Sequence, residues 1–148
     1  MALNAFKPDT QALRREWVVP TGTKSGDLVL HSVSGRVGVA ITARGDSTFS
    51  QTLPDGSVLT AIANGGVGNE PTTAVCAVDG SWTYAVAGVT NGDSVTGSGT
   101  RDGTKVYRVA ATGALTLTVG SAPVNTLVAH IDAGFIVGGV APVLIGIV

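Results

Sequence analysis

From Trp17 onward a turn signal recurs about every ten residues, and that rhythm limits the chain to short elements. The signals are Thr21-Gly22, Ser25-Gly26, Ser34-Gly35, Arg44-Gly45-Asp46, Asp55-Gly56, Asn64-Gly65-Gly66, Asp79-Gly80, Asn91-Gly92-Asp93, Asp102-Gly103, Thr112-Gly113 and Gly120-Ser121. Asn-Gly and Asp-Gly suit turns with positive φ, as tight hairpins require. Short strands at even spacing between such turns predict an all-β fold, a small sandwich or barrel of antiparallel strands.

The runs between the turns alternate. In the stretch Ser25–Ala43, Leu28-Val29-Leu30 enters a hairpin that turns at Ser34-Gly35. Val37, Val39 and Ile41 then fall on one face, against Arg36, Gly38, Ala40 and Thr42 on the other, so one buried face is predicted. Val58, Thr60 and Ile62 share a face, as do Trp82, Tyr84 and Val86. Leu115, Leu117 and Val119 alternate with Thr116 and Thr118, the clearest half-buried strand in the sequence. Leu127, Ala129 and Ile131 oppose Val128, His130 and Asp132, and Lys105–Ala110 makes a weaker strand. Val143–Val148 is apolar on both faces, which predicts a central or interface strand. Gly65–Thr73, with Gly66, Gly68 and Pro71, reads as a longer loop. Lys24-Ser25-Gly26-Asp27 and Thr90-Asn91-Gly92-Asp93 are similar strand entries, too short to mark a duplication.

The 148 residues suffice for one hydrophobic core. Charged residues make up 13%, about half the ~25% usual in soluble domains, and mean hydropathy is +0.37. Threonine and serine supply the polar surface. A chain so poor in charge is expected to hide surface against partners, copies of itself included. Its net charge of −1 gives no field to steer it to nucleic acid.

Met1–Glu16 differs in texture, carrying Lys7, Arg14, Arg15 and Glu16 with no strand pattern. Pro8-Asp9-Thr10 can cap a short helical turn. The segment is read as an N-terminal arm, either frayed or ordered on a partner, preceding a single β-domain over 17–148. No apolar core of a signal peptide occurs in Met1–Trp17. The uncharged tail Ala133–Val148 is shorter than the ~18–20 residues of a membrane helix and is interrupted by Gly138-Gly139, Pro142 and Gly146. Two strands joined near Gly138-Gly139 are expected there, and no membrane association.

The ionisable inventory is thin. His31 and His130 read as structural histidines, and most aspartates sit at turns where they bond the local backbone. No His/Cys cluster has zinc spacing, and Asp93 and Asp102 lack the dense oxygen ligands of a calcium loop. No nucleophile elbow, phosphate loop or dinucleotide fingerprint occurs. No catalytic, cofactor-binding or metal-binding residue is therefore assigned, and an enzyme is not expected. Cys76, the lone cysteine, reads as a packed apolar residue. Two features support an alternative, a surface-binding module for protein or glycan. Arg44-Gly45-Asp46 matches a tripeptide that integrins read on exposed loops, and Trp82 with Tyr84 could form a sugar-stacking face, although a turn and a core are the expected uses.

The order of motifs carries more than any single residue. Trp17-Val18-Val19-Pro20 is followed by Ser25-Gly26-Asp27-Leu28-Val29 and Gly35-Arg36-Val37-Gly38-Val39-Ala40. Gly80-Ser81-Trp82-Thr83-Tyr84-Ala85-Val86 and Asn91-Gly92-Asp93-Ser94-Val95 come next, and Gly139-Val140-Ala141 leads into the apolar end. In this order the chain resembles the capsid cement, or decoration, proteins of tailed bacteriophages, over about two thirds of its length, with departures at 47–78 and 97–125. The resemblance implies a β-rich, non-enzymatic virion protein, made in the host bacterial cytoplasm. It would bind the outer surface of the assembled icosahedral head as a homotrimer, clamping neighbouring major capsid subunits.

Overall fold

A computed structural model describes residues 12–45, 47–63, 71–97, 99–121 and 124–146. Every regular element among them is a β-strand. Nine of the expected turn glycines, from Gly22 to Gly120, have positive φ, so the turn rhythm of the sequence is the rhythm of the fold. The chain divides into two compact units, one built from Arg14–Ala77 and the other from Val78–Val148 with the segment ending at Leu13.

In the first unit β1 (Arg14–Val18), β2 (Leu28–Leu30), β3 (Val37–Ala40) and β6 (Thr73–Ala77) form an antiparallel sheet in the order β1-β6-β3-β2. Arg14, Arg15 and Glu16, read as the end of an arm, are the first residues of β1, paired with Ala77, Cys76 and Val75. This strand lies at the sheet edge, where charged side chains are well placed. The rest of the expected arm, residues 1–11, lies outside the described residues, as does 64–70 of the expected loop.

The hairpin β2–β3 forms as expected, pairing Leu28 with Val39 and Leu30 with Val37. Its burial differs from the alternation. All four residues of β3 are buried, on both faces. The second face carries only Gly38 and Ala40, and small residues there let other groups close over it. The strand also stops at Ala40. The amides of Ile41 and Thr42 both reach the Val75 carbonyl, at 2.7 and 3.4 Å, while the Thr42 hydroxyl accepts from Val75 N–H at 3.0 Å. A side-chain oxygen has replaced a ladder carbonyl, which ends regular pairing.

The first unit also holds a two-stranded ribbon, β4 (Ser47–Thr52) with β5 (Val58–Ala63), in unbroken register from Ser47 opposite Ala63 to Thr52 opposite Val58. Its turn is a type I turn through Pro54-Asp55 closed by Gly56 at φ 83°. This is a three-residue hairpin loop, with its last position needing glycine.

The second unit is built on a closed five-stranded barrel. β7 (Gly80–Ala87), β9 (Lys105–Arg108), β10 (Leu115–Thr116), β11 (Thr126–Ile131) and β13 (Val140–Ile145) follow one another around it as β10-β7-β13-β11-β9. Of the two all-β forms the sequence leaves open, sandwich or barrel, this unit takes the barrel, with one correction to the all-antiparallel expectation: β10 runs parallel to β7. Trp82, Val86, Val106, Leu115, Ala129, Ile131, Val143 and Ile145 are buried. Burial of the valine, leucine and isoleucine side chains among them contributes roughly 1.5–3 kcal/mol each. Leu115–Val119 is not the long strand its pattern predicts. The Thr116 hydroxyl accepts from Thr118 N–H at 3.1 Å, and Asn125 binds the Thr118 carbonyl and, through its own amide, that of Val119. Local side-chain bonding turns the chain away after two residues of strand. In β11 a bulge between Leu127 and Ala129 breaks the alternation, so adjacent Val128 and Ala129 are both buried.

The strand β13 is central, between β7 and β11, as its two apolar faces require. It tolerates Pro142 because of where that residue sits. The Pro142 carbonyl accepts from Asp132 N–H at 2.9 Å, so its nitrogen also faces that side, beyond the last residue of β11. No ladder bond to β7 is lost. A small pair, β8 (Gly92–Asp93) with β12 (Phe135–Ile136), completes the unit.

Candidate functional site

The ionisable residues singled out in the sequence are used for structure. His31 closes the β2–β3 turn: its Nδ1 accepts from Ser34 N–H at 3.2 Å and lies 2.8 Å from Ser34 Oγ, while its ring centroid is 4.9 Å from that of Trp17. His130 is half-buried within β11. Asp93 spends both carboxylate oxygens locally, on the Thr96 hydroxyl and the Val95 amide, and these hold its carboxyl below the usual range, with the Arg101 charge adding in the same direction. Asp102 sits in a turn and donates its amide to the Ser94 carbonyl. Asp27 points back to the Lys24 amide whereas Asp93 points forward to Val95, so the two similar sequence entries are different turns. Among the described residues, no three His, Cys, Asp or Glu side chains converge as metal ligands do. Cys76 is fully buried, and burial pushes its thiol up to about 12.

The residues of the alternative reading are also placed. Trp82 is 1% exposed, inside the barrel, with its indole N–H on the Asp79 carbonyl at 3.2 Å; Tyr84 is half-buried. Gly45 is buried, its amide on the Thr73 carbonyl and its own carbonyl bound by Thr72 N–H, and Arg44 donates to the Thr21 hydroxyl. The first two residues of that tripeptide are therefore tied down; Asp46 lies outside the described residues.

What the second unit does present is an apolar hairpin tip. Gly138 and Gly139 both have positive φ, 60° and 77°, and join Val137 to Val140 in a two-residue turn with reciprocal backbone bonds of 3.1 and 3.0 Å. Val137 and Val140 are directly opposite, and Phe135 lies two residues before Val137, so all three share one face. They are 73% (Phe135), 70% (Val137) and 42% (Val140) exposed, while Ile136 on the other face is buried. The tip is held firmly. Phe135 pairs with Asp93, the Gly139 carbonyl accepts from Val86 N–H at 3.0 Å, and the Gly139 amide reaches Asn91 Oδ1 at 3.3 Å. Exposed apolar side chains on a pre-organised backbone make an interaction surface, since little ordering cost remains to be met on binding. The sequence had placed the turn at Gly138-Gly139 without marking Phe135. The usable signal was the alternation of Phe135 and Val137 with Ile136 next to a Gly-Gly turn.

No family model, no curated protein and no solved structure matches the chain.

Proposed function

We propose that this chain is a bacteriophage capsid decoration protein. It binds the outer surface of the assembled head, clamps neighbouring major capsid subunits and acts as a homotrimer on the virion. The observation that carries the reading is the rigid apolar tip of Phe135, Val137 and Val140, uncharged and exposed on a chain already poor in charge. Such a face calls for a partner surface. The motif order that resembles the decoration family supplies the identity of that partner.

The mechanism is linkage. A protein that binds only the assembled lattice stabilises it by about 2.7 kcal/mol per site at a hundredfold excess over Kd. Three linked copies raise the effective affinity through avidity. The test is co-sedimentation of purified protein with empty phage shells, followed by a heat challenge of decorated and bare shells. Decorated shells outlast bare ones, and Phe135→Asp with Val137→Asp abolishes co-sedimentation. Equal survival, or undiminished binding of the double variant, overturns the reading.

A further inference from the structure

The ribbon β4–β5 has an edge built to pair with itself. Among the described residues, β5 has no neighbouring strand other than β4. A lone two-stranded ribbon is marginal in water, and an open strand edge is a template for another chain. Proteins usually blunt such edges with charge, proline or a bulge. Neither strand contains a charged residue or a proline, and the register runs without a shift.

The direction of each backbone group follows from the turn. The Ser57 carbonyl accepts from Leu53 N–H at 2.8 Å, so Ser57 faces β4. By alternation Leu59 and Ala61 also face β4, and Val58, Thr60 and Ile62 point their N–H and C=O groups outward.

We infer that β5 is a homotypic docking edge, which pairs antiparallel with β5 of a second copy about a two-fold axis through Thr60. That register sets Thr60 against itself and Val58 against the second copy's Ile62. It satisfies all the outward groups of Val58, Thr60 and Ile62, whereas a centre at Leu59 or Ala61 leaves some of them unpaired. Self-pairing places the central residue beside its own copy, so a charge there would repel itself; the uncharged strand removes that obstacle. The same association covers Val58 and Leu59, which are 61% and 52% exposed, whereas β4 offers mostly Ser, Thr and Gln along its edge. The inference does not depend on the shell reading, because it concerns the free protein.

The test is disulfide trapping of the full chain without shells, with buried Cys76 as a silent background. In the proposed register the two Thr60 Cα atoms stand about 5.5 Å apart, within reach of a disulfide. The two Val58 positions are about 13 Å apart along the strands. Thr60→Cys therefore yields a covalent dimer on mild oxidation, while Val58→Cys and Ser50→Cys, at the centre of β4, do not. Thr60→Pro removes an outward amide without touching the β4 ladder and lowers the mass measured by light scattering. Failure of Thr60→Cys to cross-link, equal cross-linking from Val58→Cys or Ser50→Cys, or an unchanged mass for Thr60→Pro overturns the inference. None of these outcomes bears on shell binding.

Discussion

The indole of Trp17 occupies the space beside Gly38 that any other residue would need. A Cβ at Gly38 would stand 2.8 Å from Trp17 Cζ3, 3.0 Å from Cη2 and 2.8 Å from the Ala77 carbonyl oxygen. This close approach explains why β3 is buried on both faces.

Gly38→Ala follows from that geometry. One of the two obstructions is backbone and cannot swing aside, so the methyl group must displace either the indole or the strand. Overpacking of this kind costs roughly 1–3 kcal/mol. Thermal unfolding of Gly38→Ala is expected several degrees below wild type, with a red-shifted tryptophan emission as Trp17 is pushed toward solvent. An unchanged melting temperature would show that the contact is looser than described.

The turns were legible in the sequence because their chemistry is local. Glycine at positive φ needs no tertiary information, and the turns at Gly22, Gly56 and Gly103 follow from neighbours alone. Trp82 inside the barrel and the central placement of β13 were legible too, since a large aromatic and a two-faced apolar strand each have few places to go. Pairing partners were not. Nothing in Leu115–Val119 says that the Thr116 hydroxyl will end the strand, or that β10 will run parallel to β7. The apolar tip was half legible: the Gly138-Gly139 turn could be read, but exposure of Phe135 depends on β8 and β7 holding the tip from the other side.

Asp93 makes stability depend on pH in acid. The Thr96 hydroxyl first, then the Val95 amide, hold its folded-state carboxyl below the usual range. A depressed carboxylate stabilises the fold above its unfolded pKa, and the contribution is lost as pH falls below about 4. Asp93→Asn is therefore less stable than wild type at pH 7, and the difference closes toward pH 2. Denaturant titrations of both proteins at the two pH values check this; a gap that persists in acid would assign the effect to something other than the charge.

Thr72 is the one non-glycine residue with positive φ among those described, at 68°. A β-branched residue is unfavourable there by roughly 1–2 kcal/mol. Three backbone bonds hold it: its amide on the Gly45 carbonyl, its carbonyl accepting from Val19 N–H, and the neighbouring Gly45 amide on Thr73. Thr72→Gly relieves the strain and gives back roughly 0.5–1 kcal/mol to the freer unfolded chain. The net expectation is a gain of about 0.5–1 kcal/mol, read as a higher urea midpoint at unchanged slope. A lower midpoint would mean that the Thr72 side chain makes a contact worth more than the strain.

Cys76 reports the integrity of the first unit. Its side chain is fully buried in β6, between β1 and β3, and desolvation raises its thiol to about 12. An unfolded cysteine ionises near ~8.5. A group raised in the folded state contributes stability that is intact below the unfolded value and lost as pH climbs toward the folded one. Two outcomes are expected. At pH 8 a thiol reagent labels Cys76 only as fast as the unit opens, so the rate rises with denaturant and is insensitive to reagent concentration once that is high. Between about pH 8.5 and 12 the unfolding midpoint of wild type falls more steeply than that of Cys76→Ala. Rapid labelling of the native protein at pH 8 would show that β6 is open to solvent, and parallel midpoint curves would remove the thiol as the cause of alkaline instability.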